Sequence, residues 1–190
     1  MDKALGSSLL GIARSAIAAE LGVPQAGWLD HPALIEPGAT FVTLIQRGSV
    51  RGCVGTLEAS RPLQDDVRSN AIAAAFRDAR FEPLTRVEFD LTSVEVSLLS
   101  ASEPVAIESE EALCRWLRPG TDGLTLEYGP YRATFLPQVW EQLPQPRRFV
   151  AELKRKAGLA VDFWSAEVKL SRYQVTKWKE GEVLSARSDA

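Results

Sequence analysis

A predicted β-hairpin followed at once by a helix is the feature that most constrains the fold of this chain. The segment FVTLIQ (41–46) has the pattern of a strand, RGS (47–49) of a turn, and VRGCVGTLE (50–58) of a returning strand. Strands joined by so short a turn pair antiparallel. The next stretch, LQDDVRSNAIAAAFR (63–77), is predicted to be a helix, and its alanines allow a close approach to a neighbouring element.

The rest of the chain continues this mixture of helices and strands. We predict helices over 5–21, 107–120 and 147–157, strands over 91–100 and 166–178, and a second hairpin over 124–136. Strands that meet through hairpins or single helices are typical of the α+β class. The sequence therefore predicts an α+β fold with a mainly antiparallel sheet flanked by helices. A single domain is expected over 5–178, with a frayed C-terminal tail over 179–190.

Composition and charge exclude several classes of protein. The chain has 190 residues, 45% of them hydrophobic and 25% charged, with a net charge of −3, which is typical of a globular protein with a substantial core. No basic face stands out, so we expect no nucleic-acid partner. No apolar run approaches the roughly 20 residues of a membrane helix, and Arg14 interrupts the only apolar N-terminal stretch. We therefore expect no membrane association and a cytoplasmic location.

The scarcity of cysteine and histidine restricts the chemistry. The chain contains Cys53, Cys114 and a single histidine, His31. Too few such ligands are present for a structural zinc site, and neither a GxxxxGK[ST] loop nor a GxGxxG fingerprint occurs. We therefore predict neither a metal site nor a cofactor of these types. A cysteine hydrolase with a histidine base is also disfavoured, because His31 is the only candidate base.

The stretch VRGCVGT places two glycines around Cys53, and two interpretations of it stay open. Strand alternation predicts Arg51, Cys53 and Gly55 on one face, with Gly52 and Val54 on the other. In the functional interpretation, Arg51 favours the thiolate, and the glycines remove side chains so that a ligand or another backbone can approach. In the structural interpretation, Cys53 is a small buried hydrophobe, and the glycines mark a bulge or a tight contact between helix and sheet.

Polar residues in the following elements are candidates to join Cys53. Asp66 and Asn70 are four residues apart, and therefore share a face of the 63–77 helix. Asp78 and Arg80 follow this helix, and Glu95 lies on the polar side of the 91–100 strand. Carboxylates of this kind can act as general acids or bases. The structural alternatives are a helix-start aspartate with a solvated asparagine, a local ion pair, and an exposed strand face.

Several segments together resemble the AMMECR domain family, whose prokaryotic members are called AmmeMemoRadiSam system protein A. They are FVTL, RGCVGTLEASRPLQDDVRSNAIAAAFRDARFEPLT, VEVSLLSASEPV, PGTDGLTLEYGPYRATFLPQVWEQL and KRKAGL. The similarity extends from about residue 5 to 178, and the RGCVG core with the helix after it is specific to the family. One departure is Lys154, which stands where many relatives have a cysteine. This difference counts against a two-cysteine redox mechanism.

The resemblance implies an α+β unit of two lobes of unequal size, with the RGCVG motif near the cleft between them. It implies a Memo-type protein and a radical-SAM protein as partners, and no firmly assigned reaction. A site at this motif would combine catalytic and ligand-binding groups. The expected catalytic residues are Cys53, Asp66 and Asp78, and the expected ligand-binding residues are Arg51, Gly52, Gly55, Asn70, Arg80 and Glu95.

Two functional hypotheses follow. In the first, the protein is an enzyme or an enzyme component that acts on, or holds, a small organic molecule. Cys53 is then a nucleophile or covalent anchor, Arg51 and Arg80 bind an anionic group, and Asp66 or Asp78 carries a proton. In the second, the protein is a non-catalytic module that binds partners in a Memo/radical-SAM assembly, and Cys53 only packs.

Overall fold

The computed structural model describes residues 2–24 and 27–181. The α-helices of this part of the chain are α1 (Lys3–Glu20), α2 (Leu63–Phe76), α3 (Arg86–Phe89), α4 (Glu110–Trp116) and α5 (Pro146–Ala157). The strands are β1 (Thr40–Gln46), β2 (Ser49–Gly55), β3 (Ser93–Leu99), β4 (Glu103–Val105), β5 (Gly123–Tyr128), β6 (Tyr131–Phe135), β7 (Lys169–Tyr173) and β8 (Val175–Lys179). Short 3₁₀ helices lie at Pro32–Leu34 and Pro137–Glu141.

The chain divides into two compact units, and the first contains the hairpin predicted from the sequence. This unit runs through Leu99 and resumes at Thr176. Its sheet has the strand order β2-β1-β3-β8, and α1 and α2 pack against one face of it. Apolar residues of β1 and β3, including Val42 and Val96, alternate inward and are fully buried against these helices. This is the pattern of a sheet with one face on the core.

The end of the first sheet is held by a half-buried ion pair. Arg14 of α1 binds both carboxylate oxygens of Glu180 at 2.9 and 2.7 Å, and the backbone N–H of Val94 donates to the same carboxylate at 2.8 Å. Strand β8 therefore runs through Lys179 and is anchored at Glu180, where the sequence predicted a frayed tail. The remainder of that predicted tail, 182–190, lies outside the described residues.

The second unit spans Ser100–Val175 and has its own sheet and core. The strand order is β4-β7-β5-β6, with α5 packed on the sheet and α4 packed on α5. The rings of Trp140 and Phe149 stack with centroids 3.8 Å apart in this core. Lys154, the departure noted above, is fully buried and pairs with Glu110 at 2.6 Å.

The predicted α+β class is confirmed, and the antiparallel strands form two four-stranded sheets. The predicted strand over 166–178 is instead two strands, β7 and β8, which belong to different sheets. The break falls at Gln174, whose backbone N–H and C=O bond to Ser100 and not to a sheet ladder. Helix α3 was not predicted, although Thr85 and Glu88 form the capping box that begins it.

None of the helices in the described residues is long and apolar enough to cross a membrane.

Candidate functional site

Strand β2 carries the glycine–cysteine motif and forms one edge of the first sheet. It pairs antiparallel with β1, so that Thr43 lies opposite Cys53 and Leu44 lies opposite Gly52. Beyond Leu44 the register shifts by one residue, and Arg51 is left without a cross-strand partner. This β-bulge interrupts the predicted alternation at Arg51 and redirects its side chain.

The two glycines of the motif are explained by two internal contacts. A Cβ on Gly52 would lie 2.1 Å from the backbone oxygen of Ala74 in α2. A Cβ on Gly55 would lie 2.2 Å from the ring of Phe41 in β1. Gly52 therefore allows the helix to approach the sheet, and Gly55 gives space to a cross-strand aromatic ring. These contacts agree with the structural interpretation of the glycines, and the ligand-binding role of Gly52 and Gly55 stays a prediction.

The backbone of Cys53 is held by a salt bridge that takes the place of a neighbouring strand. Its N–H donates to Asp78 Oδ2 at 2.9 Å, and its carbonyl accepts from Arg80 Nη2 at 3.2 Å. Arg80 also binds both oxygens of Asp78, at 2.9 and 2.6 Å. The pair thus supplies one acceptor and one donor to an otherwise open sheet edge.

The same contacts fix the charge of Asp78. Hydrogen bonds from the Arg80 guanidinium, together with the backbone N–H of Cys53, hold the pKa of Asp78 well below its usual range. The carboxylate is 7% exposed and ionised at neutral pH. The local ion pair of the structural interpretation is therefore present, but it also fixes the candidate nucleophile in place.

Arg51 pairs with a residue of α3. Its Nε and Nη2 donate to Glu88 at 3.2 and 3.3 Å, while its remaining nitrogen, Nη1, is buried and has no hydrogen-bond partner in the described chain. The guanidinium carbons of Arg51 and Arg80 lie 5.9 and 5.3 Å from the centre of the Phe81 ring. One aromatic ring thus brings the two cations predicted for this site together.

Glu88 connects this arginine to the start of α3. The backbone N–H of Thr85 donates to Glu88, and with the Arg51 guanidinium it lowers the pKa of Glu88 from 4.5 to about 2. A carboxyl whose pKa is depressed by folding stabilises the folded state above its unfolded pKa. This contribution is lost as the pH falls from about 4.5 towards about 2.

We expect Glu88→Gln to lower the free energy of unfolding by about 1 kcal/mol at pH 7, a value reduced for the partial exposure of the side chain. The deficit relative to wild type should shrink as the pH falls below about 4.5, because the wild-type carboxylate is then protonated. Urea unfolding at pH 7, 4.5 and 3 measures this difference in the free energy of unfolding. Glu82→Gln, at an exposed position of the same segment, is the control, and a deficit independent of pH would contradict the expectation.

Asp66 and Asn70 form a second, fully buried cluster. Asp66 accepts hydrogen bonds from the N–H and hydroxyl of Thr40 at 2.8 and 2.7 Å, and from the Thr56 hydroxyl at 2.7 Å. Arg61 and Asn70 also donate to it, each at 2.9 Å. Both oxygens of this carboxylate are occupied within the protein, so the cluster joins α2 to β1 and to the end of β2.

Glu95 lies in β3, directly opposite Thr43 of β1. It pairs with Lys177 of β8 at 3.1 Å, and 15% of its side chain is exposed. Thr43 in turn lies opposite Cys53, and the three residues form a row across three strands. The sequence predicted that Glu95 lies on the polar face of its strand. It did not predict that β1 and β2 pair beside this strand so that Thr43 and Cys53 complete the row.

Six of the predicted site residues thus form two groups, and Glu95 lies apart from both, two strands from Cys53. Cys53, Asp78 and Arg80 are directly bonded, and Arg51 joins them through the Phe81 ring. The buried group around Asp66 meets the chain just past the C-terminal end of β2, at Thr56, and its hydrogen bonds join Thr40, Thr56 and Arg61 and not the thiol. Sequence reasoning missed three contributors to the first group, which are Thr43, Phe81 and Glu88.

The structure also bears on metals and on the second cysteine. In residues 2–24 and 27–181, no three or more His, Cys, Asp or Glu side chains are placed to hold a metal ion. Cys114 is half-buried against the second core, and burial raises the pKa of its thiol. Its surroundings therefore favour the protonated, less reactive form.

Comparison with known proteins gives the family. The AMMECR1 family model matches residues 10–178, which include every predicted site residue. The chain belongs to the AMMECR1 family.

Relatives of this AMMECR1-family protein extend over most of the chain. A protein from Sulfurisphaera tokodaii is 38% identical over 98% of this chain and 87% of its own length. Protein MJ0810 from Methanocaldococcus jannaschii is 37% identical over 73% of this chain and 72% of its own. The crystal structure of uncharacterized protein PH0010 from Pyrococcus horikoshii is similar with a TM-score of 0.77 and 32% identity, over 93% of this chain and 91% of that one. These comparisons show the family and the fold.

Proposed function

We propose that this AMMECR1-family protein is a small-molecule enzyme, or an enzyme component, whose site is centred on Cys53 and receives an anionic ligand. The observation that carries the proposal is the Arg51 guanidinium. Its Nη1 is buried without a partner in the described chain, while Nε and Nη2 are bound to Glu88. A buried donor without a partner costs free energy, and an anionic oxygen would recover it with a charge-assisted hydrogen bond.

Cys53 supplies the nucleophile in this proposal. Cys53 is a half-buried residue, and its thiol accepts a hydrogen bond from the Thr43 hydroxyl. Its backbone is fixed by Asp78 and Arg80, and the Arg80 guanidinium is close enough to interact electrostatically with the thiol. A partly accessible cysteine beside cationic groups is the usual setting of a reactive thiol.

The chemistry that suits these groups is addition of the thiol to a carbonyl carbon of an anionic molecule. The sulfur electron pair forms the S–C bond, the π pair of the carbonyl moves to its oxygen, and the thiol proton ends on that oxygen. No oxidant or second substrate is required. Arg51 and Arg80 neutralise the anionic group of the ligand, and Cys53 serves as a nucleophile or as a covalent anchor.

The carboxylates take different parts in this proposal. Asp78 has a strongly depressed pKa and accepts a hydrogen bond from the Cys53 backbone. These properties suit a residue that holds the strand in place better than one that transfers a proton. Asp66 has both oxygens occupied, and with Asn70 it supports the strand that carries the site. Glu95 keeps its predicted place among the ligand-binding residues, two strands from Cys53.

Paired alkylating reagents test the proposal. Iodoacetate and iodoacetamide differ in charge, so an anion-binding group beside Cys53 should favour iodoacetate. We expect the iodoacetate-to-iodoacetamide rate ratio at Cys53 to exceed that of free cysteine by about fivefold, as for one unit charge nearby. Arg51→Gln should lower the ratio towards that of free cysteine, and the preference that persists in this variant is the part due to Arg80. Peptide mass spectrometry resolves Cys53 from Cys114.

Arg115→Gln is the matched control, because Arg115 lies in α4 and its ion pair with Glu111 is exposed. This variant should leave the ratio at Cys53 unchanged. A wild-type ratio equal to that of free cysteine, or a Cys53 that reacts only in denaturant, would contradict the proposal.

An inert Cys53 would favour the alternative, a non-catalytic module that binds a Memo-type protein and a radical-SAM protein. The resemblance to AmmeMemoRadiSam system protein A implies these partners. Three exposed apolar residues lie within three sequence positions of Arg51 or Glu88 and offer a surface for such an interaction: Val50, Val87 and Leu91.

A further inference from the structure

We infer that Thr43 is a positioning residue for Cys53, which orients the sulfur and stabilises negative charge on it. The inference rests on the proposed function, in which this sulfur is the nucleophile. Its direct support is the Thr43 hydroxyl, which donates a hydrogen bond to Cys53 Sγ at 3.3 Å. Sequence analysis of the motif pointed to Arg51 and the glycines and assigned no role to Thr43.

The backbone on both sides holds this contact in place. The N–H and C=O of Cys53 point away from β1, because they bond to Asp78 and Arg80. Thr43 and Cys53 are therefore a non-hydrogen-bonded cross-strand pair, the kind whose Cα atoms lie only about 4.5 Å apart and whose side chains are closest. Thr43 belongs to β1, which has a strand on each side. The branched Cβ of threonine further limits its rotamers.

The chemical effect follows from the direction of the hydrogen bond. A donor aimed at a group that gains negative charge stabilises the charged form. The thiolate is the reactive form of cysteine, so the Thr43 hydroxyl should increase the reactive fraction at neutral pH. The same bond selects one sulfur position relative to the ligand.

Charged side chains also occur on β2 and on other elements of the same unit. They form three ion pairs: Asp78–Arg80, which bonds to the Cys53 backbone, Arg51–Glu88 at the β-bulge of β2, and Glu95–Lys177 on β3 and β8. Replacing Thr43 by valine changes none of these charges and nearly keeps the side-chain shape. The contribution of the hydroxyl is therefore separable from that of the surrounding charges.

The experiment compares Thr43→Val and Thr43→Ser with wild type. The rate of iodoacetamide alkylation at Cys53 is measured from pH 5.5 to 10 by peptide mass spectrometry. We expect Thr43→Val to move the midpoint of the pH–rate profile upward by about one pH unit, with a roughly tenfold slower rate at neutral pH. Thr43→Ser keeps the hydroxyl and should stay near the wild-type profile.

Thr125→Val is the matched control. Thr125 is a half-buried strand residue of the second unit, and this change also removes one hydrogen bond, from Thr125 to Thr134 at 3.0 Å. It should leave the Cys53 profile unchanged, and thermal unfolding of each variant confirms that it is folded.

Two results would overturn the inference. One is a Thr43→Val profile that matches wild type, and the other is a Thr43→Ser profile displaced as far as that of valine, which would show that the methyl group matters and not the hydroxyl. If either occurs while the iodoacetate preference of Cys53 persists, only the role of Thr43 fails. A Cys53 that is inert in folded wild type overturns the proposed function together with this inference.

Discussion

Gly52→Ala is expected to lower the free energy of unfolding by about 3 kcal/mol, a large effect for one added methyl group. The new Cβ would lie 2.1 Å from the backbone oxygen of Ala74. Because this atom belongs to the main chain of α2, no rotamer change relieves the clash, and the helix must move away from β2. Urea or thermal unfolding monitored by circular dichroism measures the loss.

Two other glycines give graded controls. Gly55→Ala meets the ring of Phe41 at 2.2 Å, but a side chain can shift, so we expect a smaller loss of about 1–2 kcal/mol. Gly27→Ala meets nothing within 4 Å and should change the stability by less than about 0.5 kcal/mol. Similar losses for all three would show that the contact between α2 and β2 does not decide the identity of residue 52.

The same contact limits how the motif can be tested for partner binding. A bulky side chain at position 52 would clash with the backbone of α2 and displace this helix, whether or not a partner is bound. Loss of binding in such a variant would therefore report on folding. Exposed positions such as Val87 and Leu91 are better probes of an interaction surface.

The sequence pattern predicted those helices and strands whose formation depends on residues close together in the chain. The hairpin of β1 and β2 and the long helix α2 were found because a short turn and helical periodicity are local signals. The break at Gln174 was not found, because it depends on bonds to Ser100, distant in the sequence. The capping box of Thr85 and Glu88 is a local signal too, and it marks the start of α3.

The candidate site shows the same division. Sequence reasoning selected Cys53, Arg51, Asp78 and Arg80, because their residue types suit nucleophilic and anion-binding chemistry. It did not predict that Asp78 would bond to the backbone of Cys53, since that contact requires the end of α2 to meet the sheet edge. Residue types thus suggested the members of the site, and only tertiary structure gives their bonding.

Asp66→Asn is expected to lower the free energy of unfolding by about 3 kcal/mol, because a buried charge network loses its central anion. Every hydrogen-bonding group around this carboxylate is a donor, and these include Thr40, Thr56 and Arg61. An asparagine would place its own NH₂ donor against them, and the guanidinium of Arg61 would lose its partner. Chemical unfolding at neutral pH measures the effect.

Asp65→Asn is the matched control, since Asp65 lies in the same first turn of α2 and is exposed. We expect Asp65→Asn to lower the free energy of unfolding by less than about 0.5 kcal/mol. Each of the two substitutions removes one charge from the start of α2, but only Asp66→Asn disrupts a hydrogen-bond network. The role of Asp66 is then decided by Cys53 alkylation in the folded variant. A wild-type rate there makes Asp66 a structural residue, because its bonds end at Thr40 and Thr56 and not at the sulfur. Unchanged stability with a lost Cys53 reaction would instead assign Asp66 a direct part in the chemistry, as the residue pattern first predicted.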